Sequence, residues 1–225
     1  MKIVVFTGAG ISAESGINTF RDSDGLWEKY RIEDVATPEA FKRNPELVLD
    51  FYNQRRKQVL QASPNAAHTS LVELQQKHDV QIITQNVDDL HERAGSKNVL
   101  HLHGELLKAR STADVALVVK LNSAELNLGD LCPKGSQLRP HIVWFGELVP
   151  MMETANRIAA TAELFIVIGT SLNVYPAANL LDYVPYDCPI YLIDPNPVTA
   201  VNRSEIKHIK QKAGIGVPAL VKNYL

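Results

Sequence analysis

Cysteine is scarce in this 225-residue sequence: only Cys132 and Cys188 occur, too few for a disulfide framework. The fold must therefore rest on a packed core, and a reducing cytoplasm is the expected compartment. No apolar run approaches the roughly 18–20 residues of a membrane span, which argues against a helical membrane protein. Charge of either sign is not in excess. The 23 Lys and Arg nearly balance 25 Asp and Glu, and a net charge of -2 supplies no field to draw nucleic acid or an anionic membrane. There is no internal repeat and no low-complexity tract. The chain enters an apolar strand-like run at once, so no signal peptide is expected. What remains is an ordinary globular composition, 45% hydrophobic and 21% charged, long enough to bury a full core with a smaller inserted lobe.

The most informative segment is the first. The β-branched and aromatic run Ile3, Val4, Val5, Phe6 stops at Gly8-Ala9-Gly10, and Ile11-Ser12-Ala13 opens a helix-compatible stretch. This is G-x-G-x-x-(G/A) directly after a strand, where glycines permit a tight turn and helix N-terminal amides can hold a pyrophosphate. The acidic residue expected about 20 positions on, at the end of a second strand, is replaced by a polar loop at 16–27. Three further runs end alike. Residues 80–84 lead to Gln85-Asn86-Val87-Asp88, 164–168 to Gly169-Thr170-Ser171, and 190–193 to Asp194-Pro195-Asn196. Short buried-type strands that deliver small or hydrogen-bonding residues at their carboxyl ends predict an open parallel α/β sheet with a nucleotide crevice.

Two segments interrupt the βα pattern, at about 27–63 and 106–140. In the first, Asn44 and Pro45 predict the start of a helix running to about Gln61. The second combines a short alternating run at 115–119 with a turn-rich stretch at 129–137. Together they predict a small lobe beside the sheet, with a cleft between. Helices are expected at 151–160 and 217–225.

These motifs resemble those of the sirtuins, NAD-dependent protein-lysine deacylases. The carriers are Gly8-Ala9-Gly10-Ile11-Ser12, Ser15-Gly16-Ile17, Phe20-Arg21, Thr84-Gln85-Asn86-Val87-Asp88, Leu102-His103-Gly104, the run from Arg139 to Glu147 (RPHIVWFGE), and Gly169-Thr170-Ser171. The resemblance spans nearly the whole chain. It implies a single catalytic domain: a Rossmann-like parallel sheet flanked by helices, with a small lobe made of a helical module and a zinc module. It also implies NAD as cosubstrate, acyl-lysine proteins as partners, and nicotinamide and O-acyl-ADP-ribose as products. An NAD or ADP-ribose sensor, or an enzyme that hydrolyses NAD or transfers ADP-ribose, could use the same scaffold.

The chemistry needs a general base, and imidazole suits it because its unperturbed pKa of about 6.5 leaves it mostly neutral at cellular pH. His101 and His103 lie two apart and share a face of an extended segment, so spacing does not choose between them. The resemblance does: it places the catalytic positions on His103, which precedes Gly104, and on Asn86. His141 is expected to be structural. The resemblance places NAD against Gly8, Ala9, Gly10, Ser12, Ala13, Ile17, Phe20, Arg21, Trp27, Gln85, Asn86, Asp88, Gly169, Thr170, Ser171, Asp194, Asn196 and Ala213. Asp88 with Ile17 would hold the carboxamide. Val143, Phe145, Gly146, Glu147 and Val174 would form the edges that pin a substrate peptide as an added strand.

On the 44–61 helix, Val48, Phe51, Tyr52, Arg55 and Val59 share one arc, and a guanidinium in an apolar arc is costly unless paired. Its stem can pack while the head reaches water, or it can pair with a carboxylate of the protein. The resemblance adds a third reading, since Tyr52-x-x-Arg55 is similar to the pair in members that remove succinyl and malonyl groups. The family's zinc cysteines, by contrast, fall on Ser111, Asp114, Cys132 and Gly135. One thiolate of four remains, so the module is expected to be zinc-free and held by packing, with Val115, Leu117, Val119, Leu126, Leu128 and Leu131 among its apolar residues.

Overall fold

The computed structural model describes residues 1–17, 30–172, 175–197 and 206–224. In chain order the strands are β1 (Lys2–Thr7), β2 (Asp79–Thr84), β3 (Val99–His101), β4 (Gly104–Ser111), β5 (Val118–Lys120), β6 (Leu138–Ile142), β7 (Leu164–Ile168), β8 (Ile190–Ile193) and β9 (Ile206–Ile209). The helices are α1 (Ile32–Val35), α2 (Pro38–Arg43), α3 (Pro45–Gln61), α4 (Ala66–Gln75), α5 (Leu90–Ala94), α6 (Met152–Ala159) and α7 (Ala213–Val221).

Alternate residues of β1 face opposite ways, and both faces are apolar, as a strand covered on two sides requires. Val4 and Phe6 pack with Ala155 and Ala159 of α6 and with Leu180 and Leu181 of the 3-10 segment Ala177–Tyr183. Ile3 and Val5 pack with Leu71 and Leu74 of α4 and with Val217 and Leu220 of α7. The main sheet is parallel throughout, in the order β3-β2-β1-β7-β8-β9. Chain order thus runs outward from β1 in one direction and then from β7 in the other. That reversal between β1 and β7 is a topological switch point, outside whose carboxyl ends a ligand crevice opens. The Rossmann-like α/β expectation holds.

The small lobe has two parts. The helical module, α1 to α3, packs Val35, Val48, Phe51, Tyr52 and Val59 against Leu106, Ile142 and Trp144. Its long helix α3 starts as the sequence predicts: Pro45 occupies the first turn and the Asn44 side chain accepts a 3.1 Å hydrogen bond from the Leu47 amide. The second part is the antiparallel sheet β5-β4-β6, packed on α3 through Leu49, Ala109, Leu126, Cys132 and Leu138.

Three expectations change. The segment after Gly10 forms two 3-10 turns, Ala9–Ile11 and Ala13–Ser15, instead of an α-helix. The closing helix is Ala213–Val221, displaced from the predicted 217–225, because Pro218 is accommodated within it. Val115, Leu128 and Leu131 are exposed and do not join the small-sheet core, since they lie in the turns and connections outside its strands.

Candidate active site

The loops that follow β1 and β7 meet backbone to backbone at the switch point. A Cβ on Gly8 would lie 2.7 Å from the Gly169 carbonyl oxygen, and one on Gly10 would lie 2.6 Å from the Gly169 Cα. Gly8 N donates to Ile168 O at 2.9 Å and Gly10 N to Gly169 O at 2.8 Å. The Ile11 and Ser12 amides donate to Gly8 O and Ala9 O. The glycines therefore serve the packing of one loop on another, and these amides are not a helix N-terminus left open for a phosphate.

Around that junction the sequence-predicted residues are joined by side-chain hydrogen bonds. Asn86 Nδ2 donates to Ser12 Oγ (3.2 Å), and Ser12 Oγ donates to Asp88 Oδ2 (3.1 Å). Asp88 Oδ1 also accepts from the Leu90 amide at 3.1 Å. Burial raises the Asp88 pKa, opposed by these two hydrogen bonds. Across the switch point, Gln85 Nε2 donates to Thr170 Oγ1 (3.1 Å), which also accepts from the Leu172 amide (3.2 Å). Asp194 is buried and its carboxylate accepts from the Asn196 amide at 2.8 Å, a local turn that leaves Asn196 itself exposed. Ser171 is half-buried beside Thr170, and Ala213 is buried at the start of α7, where Glu14 Oε2 accepts from Gly214 N at 2.7 Å.

Two histidines border this network and differ sharply. His103 Nδ1 lies 3.1 Å from the Gln85 carbonyl oxygen. A carbonyl only accepts, so Nδ1 carries the proton and the neutral ring keeps its lone pair on Nε2. Burial lowers the His103 pKa, partly offset by that carbonyl. His101 has both nitrogens engaged, with Asn86 O at 3.0 Å and Glu92 Oε1 at 2.8 Å. Burial works against its charge, but Glu92, the Asn86 carbonyl and Glu105 together raise the pKa. Gly104, with φ of 82°, lets β4 start directly against β6: a Cβ there would be 2.0 Å from the His141 carbonyl oxygen. Behind the site, His68 and His91 are fully buried with ring centroids 5.0 Å apart, and His91 Nε2 contacts Thr7 Oγ1 at 3.1 Å. Sequence reading assigned neither of them a role, because their burial depends on α4 and α5 meeting beneath β1 and β2.

Tyr52 and Arg55 lie on the same helix, the guanidinium 5.8 Å from the Phe51 ring centre and 5.9 Å from that of Tyr52. Burial lowers the Arg55 pKa, and Tyr52 and Asp88 oppose it. Of the strand-edge residues, Val143 is half-buried and Phe145 and Gly146 are exposed. The Glu147 side chain is held within the protein: its carboxylate accepts from Arg139 (2.7 and 3.0 Å), Arg110 (2.9 and 3.1 Å) and the Trp144 amide (2.8 Å). Ile17 also turns inward: its side chain joins the helical-module core, so any contact with a ligand falls to its backbone. Ala13 is exposed. Phe20, Arg21, Trp27 and Val174 lie outside the described residues.

The positions of the family's zinc ligands do not fit a zinc ion. The Cys132 thiol donates to Ser111 Oγ at 3.4 Å, and Asp114 pairs with Lys134 at 2.6 Å. Ser111 Oγ also accepts the amides of Ala113 and Asp114. A hydroxyl, one carboxylate held by lysine, one thiol and a glycine are not four good N or S ligands. Among the described residues, no three His, Cys, Asp or Glu side chains gather as a metal site. What joins this sheet to α3 is Arg56, which sequence reading passed over. It is fully buried and donates to Ala124 O (2.8 Å), Leu106 O (3.4 Å) and Asn53 Oδ1.

Fold and site together define a dinucleotide-binding α/β protein with a neutral histidine at the carboxyl edge of its sheet. Residues 8–176 match the Sir2 family. The chain is 53% identical to an NAD-dependent protein deacylase of Bacteroides thetaiotaomicron, over 97% of this chain and 96% of that one. It is 55% identical to one from Helicobacter pylori, over 94% and 92%. A solved Sir2 homologue–NAD complex superposes with a TM-score of 0.89 at 43% identity, covering 99% of this chain and 88% of that one. A solved complex of Sir2 with a p53 peptide and NAD+ gives 0.81 at 30% identity, covering 99% and 92%. The chain belongs to the Sir2 family.

Proposed function

We infer that this chain is an NAD-dependent protein deacylase that acts on acyl-lysine, with His103 as its general base and Tyr52 and Arg55 selecting acyl groups that end in a carboxylate. The observation that carries this reading is the His103–Gln85 hydrogen bond, which leaves a basic Nε2 on a neutral ring at the sheet edge. NAD supplies an ADP-ribosyl carbon from which nicotinamide departs, and the acyl oxygen of the lysine amide is the nucleophile that replaces it. His103 Nε2 takes the proton of a ribose hydroxyl, so that this oxygen attacks the former amide carbon; the lysine amine leaves, and a water adds to the acyl carbon, now bridging two ribose oxygens, to give O-acyl-ADP-ribose. Asn86, Ser12 and Asp88 form a pre-organised set of donors and acceptors suited to the nicotinamide end, since each is already held by the others. Gln85, Thr170, Ser171, Asp194 and Asn196 suit the ribose hydroxyls and the adenosine side, with Gly8, Ala9, Gly10, Gly169 and Ala213 shaping the walls. By resemblance, Phe20, Arg21 and Trp27 complete the cosubstrate site and Val174 the peptide edge, and the chain acts as one catalytic domain.

A carboxylate at the end of the acyl chain would meet the Arg55 guanidinium and the Tyr52 hydroxyl, a pairing stronger than neutral hydrogen bonds. No helix among the described residues is long and apolar enough to cross a membrane. A reducing cytoplasm is supported by the scarcity of cysteine, and no disulfide links Cys132 and Cys188. The test is product analysis by mass spectrometry with a succinyl-lysine peptide and NAD. Deacylated peptide, nicotinamide and O-succinyl-ADP-ribose in equal amounts are expected. Nicotinamide and free ADP-ribose with the peptide untouched would refute the reading.

A further inference from the structure

Trp144 has a role that no motif assigned. It is 2% exposed, and its Nε1 donates a 2.9 Å hydrogen bond to the Tyr52 hydroxyl oxygen. An indole N–H only donates, so the phenol oxygen is the acceptor in this pair. The phenol has one proton, and the indole has taken one of its acceptor directions. That proton is left for a different partner, and among the described residues the hydroxyl donates to none. The indole cannot swing away, because the Arg139 guanidinium lies 3.3 Å from its ring centre and Arg139 is itself held by Glu147. The ring of Phe41 lies on it as well, at 5.4 Å between centroids.

We propose that Trp144 is a positioning residue for acyl selectivity: by donating to Tyr52 it makes the tyrosine an obligate hydrogen-bond donor toward an acyl-chain carboxylate beside Arg55. The inference rests on the acyl-pocket reading above. Two further features agree with it. Burial pushes the Tyr52 pKa up to about 12, against the influence of Arg55 and the Trp144 bond, so the phenol keeps its proton. Arg139 over the indole face also stiffens the ring that does the orienting. Without the indole N–H, the phenol could rotate and present a lone pair to the acyl carboxylate.

The test compares kcat/KM on succinyl-lysine and acetyl-lysine peptides of one sequence, for the full chain and for Trp144→Phe, Tyr52→Phe, the double variant and Arg55→Met. Trp144→Phe keeps an aromatic ring beneath Arg139 and removes the donor. It should lower the succinyl-to-acetyl ratio by roughly three- to tenfold, the range of one modest hydrogen bond. If Trp144 acts through Tyr52, adding Trp144→Phe to Tyr52→Phe should change the ratio no further. A purely structural role would lower both activities together and leave the ratio alone, which would overturn the proposal. Independent, additive effects of the two substitutions on the ratio would overturn it as well. A selective loss in Arg55→Met with an unchanged ratio in Trp144→Phe would remove this inference and leave the acyl pocket standing. An unchanged ratio in both would remove both.

Discussion

His101 and His103 stand two residues apart and differ in hydrogen bonding among the described residues: His101 engages both ring nitrogens, whereas His103 engages Nδ1 alone, with the Gln85 carbonyl. An imidazole bound between a carbonyl and a carboxylate is held in its charged form and has no lone pair to offer. One bound to a carbonyl alone is held in the tautomer with a basic Nε2. Spacing could not make this distinction, and the partners in the loop after β2 and on α5 do.

His103→Ala is expected to lower turnover by about two to four orders of magnitude while NAD binding stays largely intact. His101→Ala should cost much less, through a less well-held Asn86 carbonyl. Single-turnover rates and NAD binding by calorimetry check both. The reverse order of losses would reassign the base.

The pH profile should carry the same signature. His103 must be neutral to act, and burial lowers its pKa from the ordinary 6.5, so activity should rise with pH through a midpoint below 6.5 and level off above it. The His101 pKa is raised. An acid limb of kcat/KM centred above 6.5 would therefore point to His101.

Much of this was legible in the sequence, and the failures share a cause. The strand at 3–6, the Asn44-Pro45 helix start and the polar strand ends report on local periodicity and capping, which short segments carry by themselves. That Gly10 packs against Gly169 was not legible, because a glycine that approaches a ligand and one that approaches another loop look alike in sequence. Arg56 was missed because its acceptor at Ala124 is 68 residues away. The ion pairs of Glu147 were not legible because Arg110 and Arg139 are brought beside it only by the pairing of β4 with β6. The exposure of Val115, Leu128 and Leu131 follows from their falling in connections outside the strands, where the chain path and not the hydrophobic pattern decides burial.

Arg55→Met should raise KM for a succinyl-lysine peptide strongly and spare an acetyl-lysine peptide, since only the former presents a carboxylate. A charge-assisted hydrogen bond of about 1.5–3 kcal/mol corresponds to roughly 10- to 150-fold. Steady-state kinetics on paired peptides decides this. Equal losses on both would make Arg55 a packing residue beside Phe51 and Tyr52.

The small sheet should depend on Arg56 more than on Cys132. Arg56→Met leaves the carbonyls of Ala124 and Leu106 and the Asn53 side chain without their donor, a loss of about 3 kcal/mol or roughly 6–12 °C in melting temperature. Cys132→Ser should change the melt little, and EDTA not at all. Elemental analysis finding about one zinc per chain, or a cooperative melt lost in EDTA, would contradict the zinc-free reading of Ser111, Asp114 and Cys132.

The central claim, deacylation driven by consumption of NAD, is tested most directly by measuring nicotinamide released from NAD with and without an acyl-lysine peptide. Release that requires the peptide, matches it mole for mole and falls by at least about a hundredfold in His103→Ala is the predicted result. Equal release with and without peptide would mark an NAD hydrolase, and no release in either case would mark a binding protein. Both outcomes would contradict the assignment.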